Sequence, residues 1–369
     1  MRRISAPFLA VCVALSACVT EPELVPGGIG WQAVDVGGAH ACAVSFEGRL
    51  ACWGANDRGQ AGTGGADWLG AAAWVRGDRP FRAVSSGGRH TCALDTDGGL
   101  WCWGGNGAGQ VGDGSVDDRR EPVRILPEAA FIDVSAGWEH TCAVTSRGLL
   151  LCWGENSFGQ AGIGESTRTS LPPTPVAGAR RWAGVAAGSA HTCALDVVGA
   201  VFCWGDHRSG ALGTGVLLPS PGPSRVAPTS TFQFVTAGPG GSCALQPEAR
   251  AWCWGDNRAA QIDGSGSVLH GSPVPLGGHG VAGVGVGEQV VCALGGDGSV
   301  RCQGARWAPD GTATVPPQGF APLGPSRSTW VALSVGWRDG CAIDASGILE
   351  CWGQRSAPAA PRSAPLPLR

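Results

Sequence analysis

The pattern of apolar and polar residues along this chain is typical of short β-strands rather than helices. Apolar and polar positions alternate over residues 131–136, a glycine-containing turn follows, and residues 141–144 and 149–154 form two further apolar runs. A period of two indicates a half-buried strand. Extended runs such as residues 122–126 follow loops rich in Gly, Asn and Gln, so the pattern predicts units of four antiparallel strands.

Fourteen cysteines mark seven repeats of this unit. They form seven pairs with nine residues between the partners: Cys42 and Cys52, Cys92 and Cys102, Cys142 and Cys152, Cys193 and Cys203, Cys243 and Cys253, Cys292 and Cys302, and Cys341 and Cys351. Successive pairs are 49 to 51 residues apart, a period that is typical of repeat architectures. Trp-Gly follows the second cysteine of every pair except the sixth, where Gln303 replaces the tryptophan.

Seven such units predict an all-β fold, a seven-bladed β-propeller with four antiparallel strands per blade. Radial repetition leaves few exposed strand edges, and a period near 50 residues suits a blade better than the alternative, an open solenoid. We assign residues 31–369 to the propeller. Residues 363–369 are expected to supply the last outer strand and to close the ring.

Each cysteine pair is predicted to form one disulfide within its blade. Glycine follows the first cysteine by six residues in six repeats, with Ala249 as the exception, and suits a three-residue hairpin. Such a hairpin places the two cysteines opposite each other, within disulfide reach. Zinc is the alternative use of paired cysteines, but zinc ligand pairs usually stand two to four residues apart.

The N-terminal residues are predicted to be an export signal. A basic start and a short apolar stretch make residues 1–17 a signal peptide that is too short to span a bilayer. Residues 15–18 (LSAC) resemble the lipobox of bacterial lipoproteins, which implies that Cys18 carries lipid and that residues 18–30 form a tether. An ordinary signal peptide cleaved nearby is the alternative. The expected location is the outer membrane or cell surface, or otherwise the periplasm.

The repeats resemble those of the regulator of chromosome condensation family. The resemblance rests on Gly-x-x-His-Thr-Cys-Ala-Leu, followed by Gly-x-Leu-x-Cys-Trp-Gly-x-Asn-x-x-Gly-Gln-x-Gly, and is clearest in residues 104–112 and 154–162. Members form seven-bladed propellers, and the cysteine pair is similar to that of exported bacterial versions. The family's nucleotide exchange on a nuclear GTPase needs partners that an exported protein would not meet. The resemblance therefore implies the fold and not that activity.

No catalytic, metal-binding or cofactor-binding residue is predicted. The sequence contains no Gly-x-Ser-x-Gly elbow, phosphate loop or His-Glu-x-x-His motif, so we expect no enzyme. Four histidines (His40, His90, His140 and His191) stand two residues before a first cysteine and could converge on a metal ion. A hydrogen bond within the turn is the preferred interpretation. A net charge of −3 and a pI near 6.2 argue against a nucleic-acid partner.

One end of the propeller is predicted to bind a partner. The first and third turns of an antiparallel blade lie at the same end, where Trp138 with Glu139 and Trp337 with Arg338 are the candidate anchors, since exposed tryptophan is a favoured binding residue. Packing onto the adjacent blade is the alternative role for both tryptophans.

A second candidate is the long loop expected at residues 62–80, where Trp68 and Trp74 are predicted to be exposed. The tryptophan of each Cys-Trp-Gly sequence is periodic and is instead predicted to lie in the core.

The leading functional hypothesis is a monomeric protein-binding or scaffold module at the bacterial cell envelope. Its partner would be an unidentified envelope or extracellular protein, and its membrane contact the lipid anchor. Exported propellers that resemble this family include protein inhibitors of β-lactamase. The alternative is a carbohydrate-binding or enzymatic propeller that uses the axial channel or the Trp-rich loops; a channel lined by Gly, Ala and Val would weaken it. A purely structural envelope component is a third possibility.

Overall fold

The computed structural model describes residues 25–278, 280–307, 313–314, 321–322 and 329–353. These residues contain twenty-nine strands, and none of them forms a helix that is long and apolar enough to cross a membrane. The predicted signal peptide, Cys18 and the predicted closing strand at residues 363–369 lie outside the described residues.

The first four repeats form four sheets, each with its strands side by side in chain order. Blade 1 comprises β1 (Trp31–Val36), β2 (His40–Ser45), β3 (Leu50–Ala55) and β4 (Trp68–Trp74). Blade 2 comprises β5 (Phe81–Ser86), β6 (His90–Asp95), β7 (Leu100–Gly104) and β8 (Arg119–Ile125). Blade 3 comprises β9 (Phe131–Ala136), β10 (His140–Thr145), β11 (Leu150–Asn156) and β12 (Thr167–Pro175). Blade 4 comprises β13 (Trp182–Ala187), β14 (His191–Asp196), β15 (Val201–Gly205) and β16 (Ser220–Arg225).

The last three repeats follow the same plan with local departures. Blade 5 comprises β17 (Phe234–Ala237), β18 (Gly241–Leu245), β19 (Ala251–Asp256) and β20 (Leu269–Pro275). Blade 6 comprises β21 (Val281–Val286), β22 (Val290–Gly295), β23 (Val300–Gly304) and β26 (Ala321–Pro322), with the small pair β24 (Arg306–Trp307) and β25 (Ala313–Thr314) inserted before β26. Blade 7 comprises β27 (Trp330–Val335), β28 (Asp339–Asp344) and β29 (Leu349–Gly353) within the described residues. The predicted seven-bladed, four-stranded propeller is confirmed.

All seven predicted disulfides are present, one in each blade. In chain order they join Cys42 to Cys52, Cys92 to Cys102, Cys142 to Cys152, Cys193 to Cys203, Cys243 to Cys253, Cys292 to Cys302, and Cys341 to Cys351. The second and third strands of each blade pair so that its two cysteines stand directly opposite each other, with Cα atoms 4.0 to 4.1 Å apart. The hairpin register therefore follows from the cysteine spacing, and these fourteen residues have a structural role.

The disulfides lie inside the propeller rather than on its surface. Thirteen of the fourteen cysteines are buried, and Cys351 of blade 7 is half-buried. The first six disulfides therefore form part of the apolar packing within and between the blades, whereas that of blade 7 is partly accessible to solvent.

A repeated backbone hydrogen bond joins each blade to the next. The amide of Phe81, at the start of β5, donates to the carbonyl of Gly48 in the hairpin of blade 1 at 2.8 Å. The same bond recurs around the ring, and the amide of Trp31 donates to the carbonyl of Gly347 in blade 7 at 2.9 Å. Blade 1 therefore lies directly beside blade 7, and the ring is closed.

Tryptophans of the Cys-Trp-Gly sequence fill the space between blades. Trp103, Trp153, Trp204 and Trp254 are completely buried and Trp53 is also buried, which confirms the core prediction for these five. Trp352 of blade 7 is half-buried, so the prediction is wrong for this residue. The indole Nε1 of Trp103 donates to the carbonyl of Gln60 in the preceding blade at 2.9 Å. Gln303 keeps this bond without an indole, because its Nε2 donates to the carbonyl of Ala260 at 2.7 Å.

The hairpin of blade 5 departs from the rule that glycine occupies its left-handed position. The six hairpin glycines have φ between 77° and 85°, and Ala249 adopts the same region with φ 58°. A side chain with a Cβ atom is strained in this conformation by about 1 kcal/mol. The hairpin geometry is therefore imposed on Ala249 by the strands on either side of it.

We predict that Ala249→Gly raises the free energy of unfolding by about 1 kcal/mol, because glycine relieves the strain at positive φ. Guanidinium denaturation without reductant, followed by tryptophan fluorescence, measures this change. The reverse substitution at the equivalent position, Gly98→Ala, is expected to destabilise the protein by a similar amount. Equal stability of Ala249→Gly and the parent would contradict the prediction.

Candidate functional site

Two ends of the propeller carry different sets of loops. The turn between the first and second strands and the loop after the third strand meet at one end, where the amide of Ala55 donates to the carbonyl of Ala39 at 2.9 Å. We call this end the His-turn face. We call the opposite end, formed by the hairpins that join the second and third strands, the hairpin face. The prediction that the first and third turns of a blade lie at the same end is confirmed; these are the His-bearing turn and the Asn-Gln loop.

The four repeated histidines join neighbouring blades. Each Nε2 lies 2.7 to 2.9 Å from a hydroxyl oxygen of the next blade, in the pairs His40–Thr91, His90–Thr141, His140–Thr192 and His191–Ser242. The hydroxyl of Thr91 donates its own proton to the carbonyl of Gln60 at 2.7 Å, so it accepts from the imidazole. The sequence predicted a bond within the turn, whereas the partner belongs to the next blade.

This arrangement keeps the histidines neutral. Burial lowers the pKa of His40 and His191 to about 4 and that of His90 and His140 to about 3. Nδ1 of His40, His90 and His140 is buried without a hydrogen-bond partner, which suits the Nε2-protonated, uncharged ring. Within the residues that the structure describes, no group of three or more His, Cys, Asp or Glu side chains could hold a metal ion.

The Asn-x-x-Gly-Gln loops use their polar side chains to hold their own backbone. In blade 2, the Oδ1 of Asn106 accepts from the amide of Val111 at 2.9 Å, and the Oε1 of Gln110 accepts from the amide of Ala108 at 2.9 Å. Both side chains are buried. The repeated part of the loop is therefore a scaffold, and recognition has to come from the residues that differ between blades.

Two predicted anchors, Trp138 of blade 3 and Trp337 of blade 7, meet across the axial mouth of the His-turn face. Their ring centroids are 4.2 Å apart, with the planes tilted by 57°. The indole of Trp138 lies over Gly88 and Gly38, where an added Cβ atom would approach the ring to within 2.8 and 2.9 Å. Trp138 packs on two other blades and still exposes 37% of its surface.

The charged neighbours of this tryptophan pair have different surroundings. The Nε of Arg338 donates to the Oε2 of Glu288, in blade 6, at 2.7 Å. Glu139 is exposed beside Trp138. Glu288 was not singled out from the sequence, although it occupies the same repeat position as the two tryptophans, four residues before a first cysteine.

Of the two tryptophans in the second aromatic candidate, only Trp68 has the predicted exposure. Residues 68–74 form strand β4 rather than part of a loop, and Trp68 is half exposed at the start of that strand. The prediction that Trp74 is exposed is wrong. Its ring is buried at the seam between blades 7 and 1, 6.1 Å from the ring of Trp31 and under the guanidinium of Arg49.

An axial cavity of about 520 Å³ lies behind the tryptophan pair. The first strands of all seven blades line it, mostly with Gly, Ala and Val. Asp35 faces it, but its carboxylate accepts from the amide of Ser86 at 2.6 Å and from the hydroxyl of Ser334 at 2.9 Å. Burial raises the pKa of Asp35 to about 6.

Asp133, the second carboxylate of this lining, also joins blades, because it accepts from the amide of Val185 at 2.9 Å. Burial raises the pKa of Asp133 too. Both carboxylates thus hold neighbouring first strands together.

These features define a β-propeller that has one disulfide within each blade and buried polar side chains between its blades. Family models described as the regulator of chromosome condensation (RCC1) repeat match the chain at residues 31–60, 81–110, 131–160, 182–211, 97–144 and 147–195. The chain therefore carries regulator of chromosome condensation repeats, as its sequence indicated.

Solved structures of the same fold have little sequence in common with this chain. Human WBSCR16 superposes with a TM-score of 0.76 at 18% identity, over 88% of this chain and 89% of that one. Prp20p from Saccharomyces cerevisiae superposes with a TM-score of 0.72 at 17% identity, over 85% and 82%. The ectodomain of the Arabidopsis thaliana receptor kinase ACR4 gives 0.58 at 20% identity, over 88% and 96%. No curated protein sequence matches this chain.

We predict that the protein loses stability as the pH falls from 7 to 5. A histidine with a folded pKa below the unfolded value of about 6.5 is protonated preferentially in the unfolded chain, which costs about 2 kcal/mol per histidine at pH 5. Asp35 makes the opposite contribution to the free energy of unfolding, because its pKa in the folded protein is raised above the unfolded value. Acidification to pH 5 therefore stabilises the protein through Asp35, but only by about 1 kcal/mol.

Guanidinium denaturation of the parent and of His140→Gln at pH 7 and pH 5 measures this effect. The variant is expected to be less stable at pH 7 and to lose about 2 kcal/mol less than the parent between the two pH values. Identical losses in both proteins would show that His140 is not held neutral.

Proposed function

We propose that the protein is an exported, lipid-anchored propeller of the bacterial cell envelope that binds another protein through its His-turn face. The observation that carries the binding proposal is the contact between Trp138 and Trp337 across the axial mouth. Tryptophans near the centre of a surface are frequent anchors of protein–protein interfaces, because they bury a large area and have an indole N–H to offer.

The tryptophan pair is presented on rigid backbone. The amide of Trp138 donates to the carbonyl of Gly188 at 3.3 Å, and the carbonyl of Trp337 accepts from the amide of Glu288 at 2.9 Å. A partner that binds here has little loop entropy to remove, because both turns are already held by the neighbouring blades. Glu139 and the Arg338–Glu288 ion pair add a polar edge, as protein-binding surfaces commonly have.

The axial cavity favours binding over catalysis or carbohydrate recognition. Its lining is mostly Gly, Ala and Val, and its carboxylates at Asp35 and Asp133 accept hydrogen bonds from neighbouring blades. Both carboxylates are therefore engaged in bonds between blades and are not free to act as an acid or base. The carbohydrate-binding or enzymatic alternative therefore has less support than a protein partner.

The fold also supports a protein partner in general terms. Prp20p is described by its binding to Gsp1p and histones, and yeast RCC1 has been crystallised bound to Kap60. At 17 to 18% identity these proteins share the fold with our chain, and their partners do not transfer to it.

Location at the envelope is supported by the sequence and by the disulfides. Residues 1–17 have the form of an export signal that ends at a lipobox-like sequence before Cys18. Seven disulfides suit an oxidising compartment outside the cytosol.

We predict that a crosslinking pull-down from native envelopes recovers one protein in stoichiometric amount with the parent chain. Trp138→Ala combined with Trp337→Ala is expected to reduce that recovery at least about ten-fold, because truncating two central anchors removes several kcal/mol of binding. Quantitative mass spectrometry of the crosslinked material measures the loss.

Trp68→Ala is the matched control, because it removes an exposed indole from the outer strand of blade 1. Recovery that depends on Trp68 alone would place the binding surface at the rim of that blade. If none of the three substitutions changes the recovery of the partner or the melting temperature, the proposed binding face is refuted. The absence of any partner would favour a purely structural role.

A further inference from the structure

The hairpin face contains one turn whose side chains differ in kind from those of the other blades. The second tip residue of each hairpin, five positions after the first cysteine, is polar in six blades: Glu47, Asp97, Arg147, Glu248, Asp297 and Ser346. In blade 4 it is Val198, which follows Val197. Val198 exposes 75% of its surface, more than any other large apolar side chain in the part of the chain that the structure describes.

Folding does not explain the two valines. The turn is held by its backbone, since the amide of Val198 donates to the Oδ1 of Asp196 at 3.0 Å and that of Val197 to the carbonyl of Arg181 at 3.1 Å. The valine side chains project from it, 61% and 75% exposed. Blade 2 builds the same turn with Thr96 and Asp97.

Other exposed apolar side chains lie on this face at the far side of the ring. Phe46 in the hairpin of blade 1 is 58% exposed, and Ile348 in the hairpin of blade 7 is 40% exposed. Blade 4 stands three blades away from both blade 1 and blade 7. Apolar contacts therefore flank the axis on both sides, as required for a disc to lie flat on an apolar-cored surface.

The chain enters the propeller at this same face. The carbonyl of Gly30 accepts from the amide of Phe46 at 3.1 Å, and Val25 and Ile29 pack at the seam of blades 7 and 1. Val25 is seven residues from Cys18, a span of at most about 25 Å. A six-residue strand such as β1 is itself about 20 Å tall, before its loops are added. The amide of Val25 donates to the carbonyl of Ala72, midway along β4, at 3.0 Å, so an anchor on Cys18 keeps the propeller within about one blade height of a bilayer.

We propose that the hairpin face lies on the lipid bilayer, with Val197 and Val198 inserted among the headgroups on one side of the axis and Phe46 and Ile348 on the other. This inference rests on the proposed lipid anchor. It turns Trp138 and Trp337 away from the membrane, so the face proposed to bind a partner stays open. A weak apolar contact is sufficient, because the anchor already keeps the protein at the surface.

The test uses the mature chain from Cys18, with one 14-carbon acyl chain attached chemically to that residue. A single chain of this length binds membranes only marginally, so a contribution from the protein surface is measurable. Partitioning onto vesicles of phosphatidylethanolamine and phosphatidylglycerol at 3:1 is measured by flotation. Val197→Thr with Val198→Asp copies the tip of blade 2 and preserves the turn. We expect it to lower the partition coefficient by about ten-fold.

The matched control is Val216→Thr with Leu218→Asp, which changes two exposed apolar residues in the loop after β15, on the opposite end of blade 4. It is expected to leave partitioning unchanged. A loss with the control pair instead would show that the His-turn face meets the bilayer. No change with either pair would show that the propeller stands off the membrane, with its hairpin face free for a protein. Either result overturns the inference.

A separate measurement tests whether Cys18 carries the lipid anchor. Mass spectrometry of the protein purified from its native envelope reports whether Cys18 carries lipid. An unmodified Cys18 would refute the proposed anchoring, whereas the vesicle comparison, with its chemically attached chain, reports on the hairpin face alone.

Discussion

Four of the seven junctions between blades contain a buried hydrogen-bond relay, on which the arrangement of those blades depends. A histidine of one blade donates to a hydroxyl of the next, and this hydroxyl donates to a loop carbonyl of the first blade. The indole of the second blade, as in Trp103, donates to the same carbonyl. One carbonyl, that of Gln60, therefore receives two donors from the neighbouring blade. Together with the backbone bond from each first strand to the preceding hairpin, these buried bonds fix the angle between neighbouring sheets.

Disulfides and the relay have separate tasks. Each disulfide closes a hairpin within one blade and makes the pairing of its second and third strands permanent, whereas the relay and the hairpin carbonyls act between blades. Two departures from the repeat keep the bond and change the residue: Ser242 replaces threonine, and Gln303 replaces tryptophan. Gly241 and Val290, which replace the histidine in blades 5 and 6, have no side-chain donor. Where the hydrogen bond between blades is kept, the position of the donor group matters more for it than the type of side chain.

Residues on the two faces of the propeller differ from blade to blade, because the repeated residues are buried and have structural roles. Histidine, asparagine and glutamine are buried in the turns and loops that they hold, so recognition falls to positions that differ from blade to blade. Trp138 and Trp337 are such positions on one face, and Val198 is such a position on the other. A repeat protein can change its partners at these positions without disturbing the relay.

The sequence by itself determined the repeat, the strand count, the hairpin register and the disulfides, because each depends on contacts within about fifty residues. Cysteines nine residues apart with a glycine between them define a hairpin wherever it occurs, and even Ala249 is forced into the expected turn. Tertiary structure alone decided which residues meet across blades. The partners of the histidines are about fifty residues away, Trp74 is buried by the closure of blade 7 on blade 1, and Trp138 reaches Trp337 across the axis. Gly38 and Gly88 leave room for the indole of Trp138. The sequence does not reveal this role, because the three residues meet only when the ring brings three blades together.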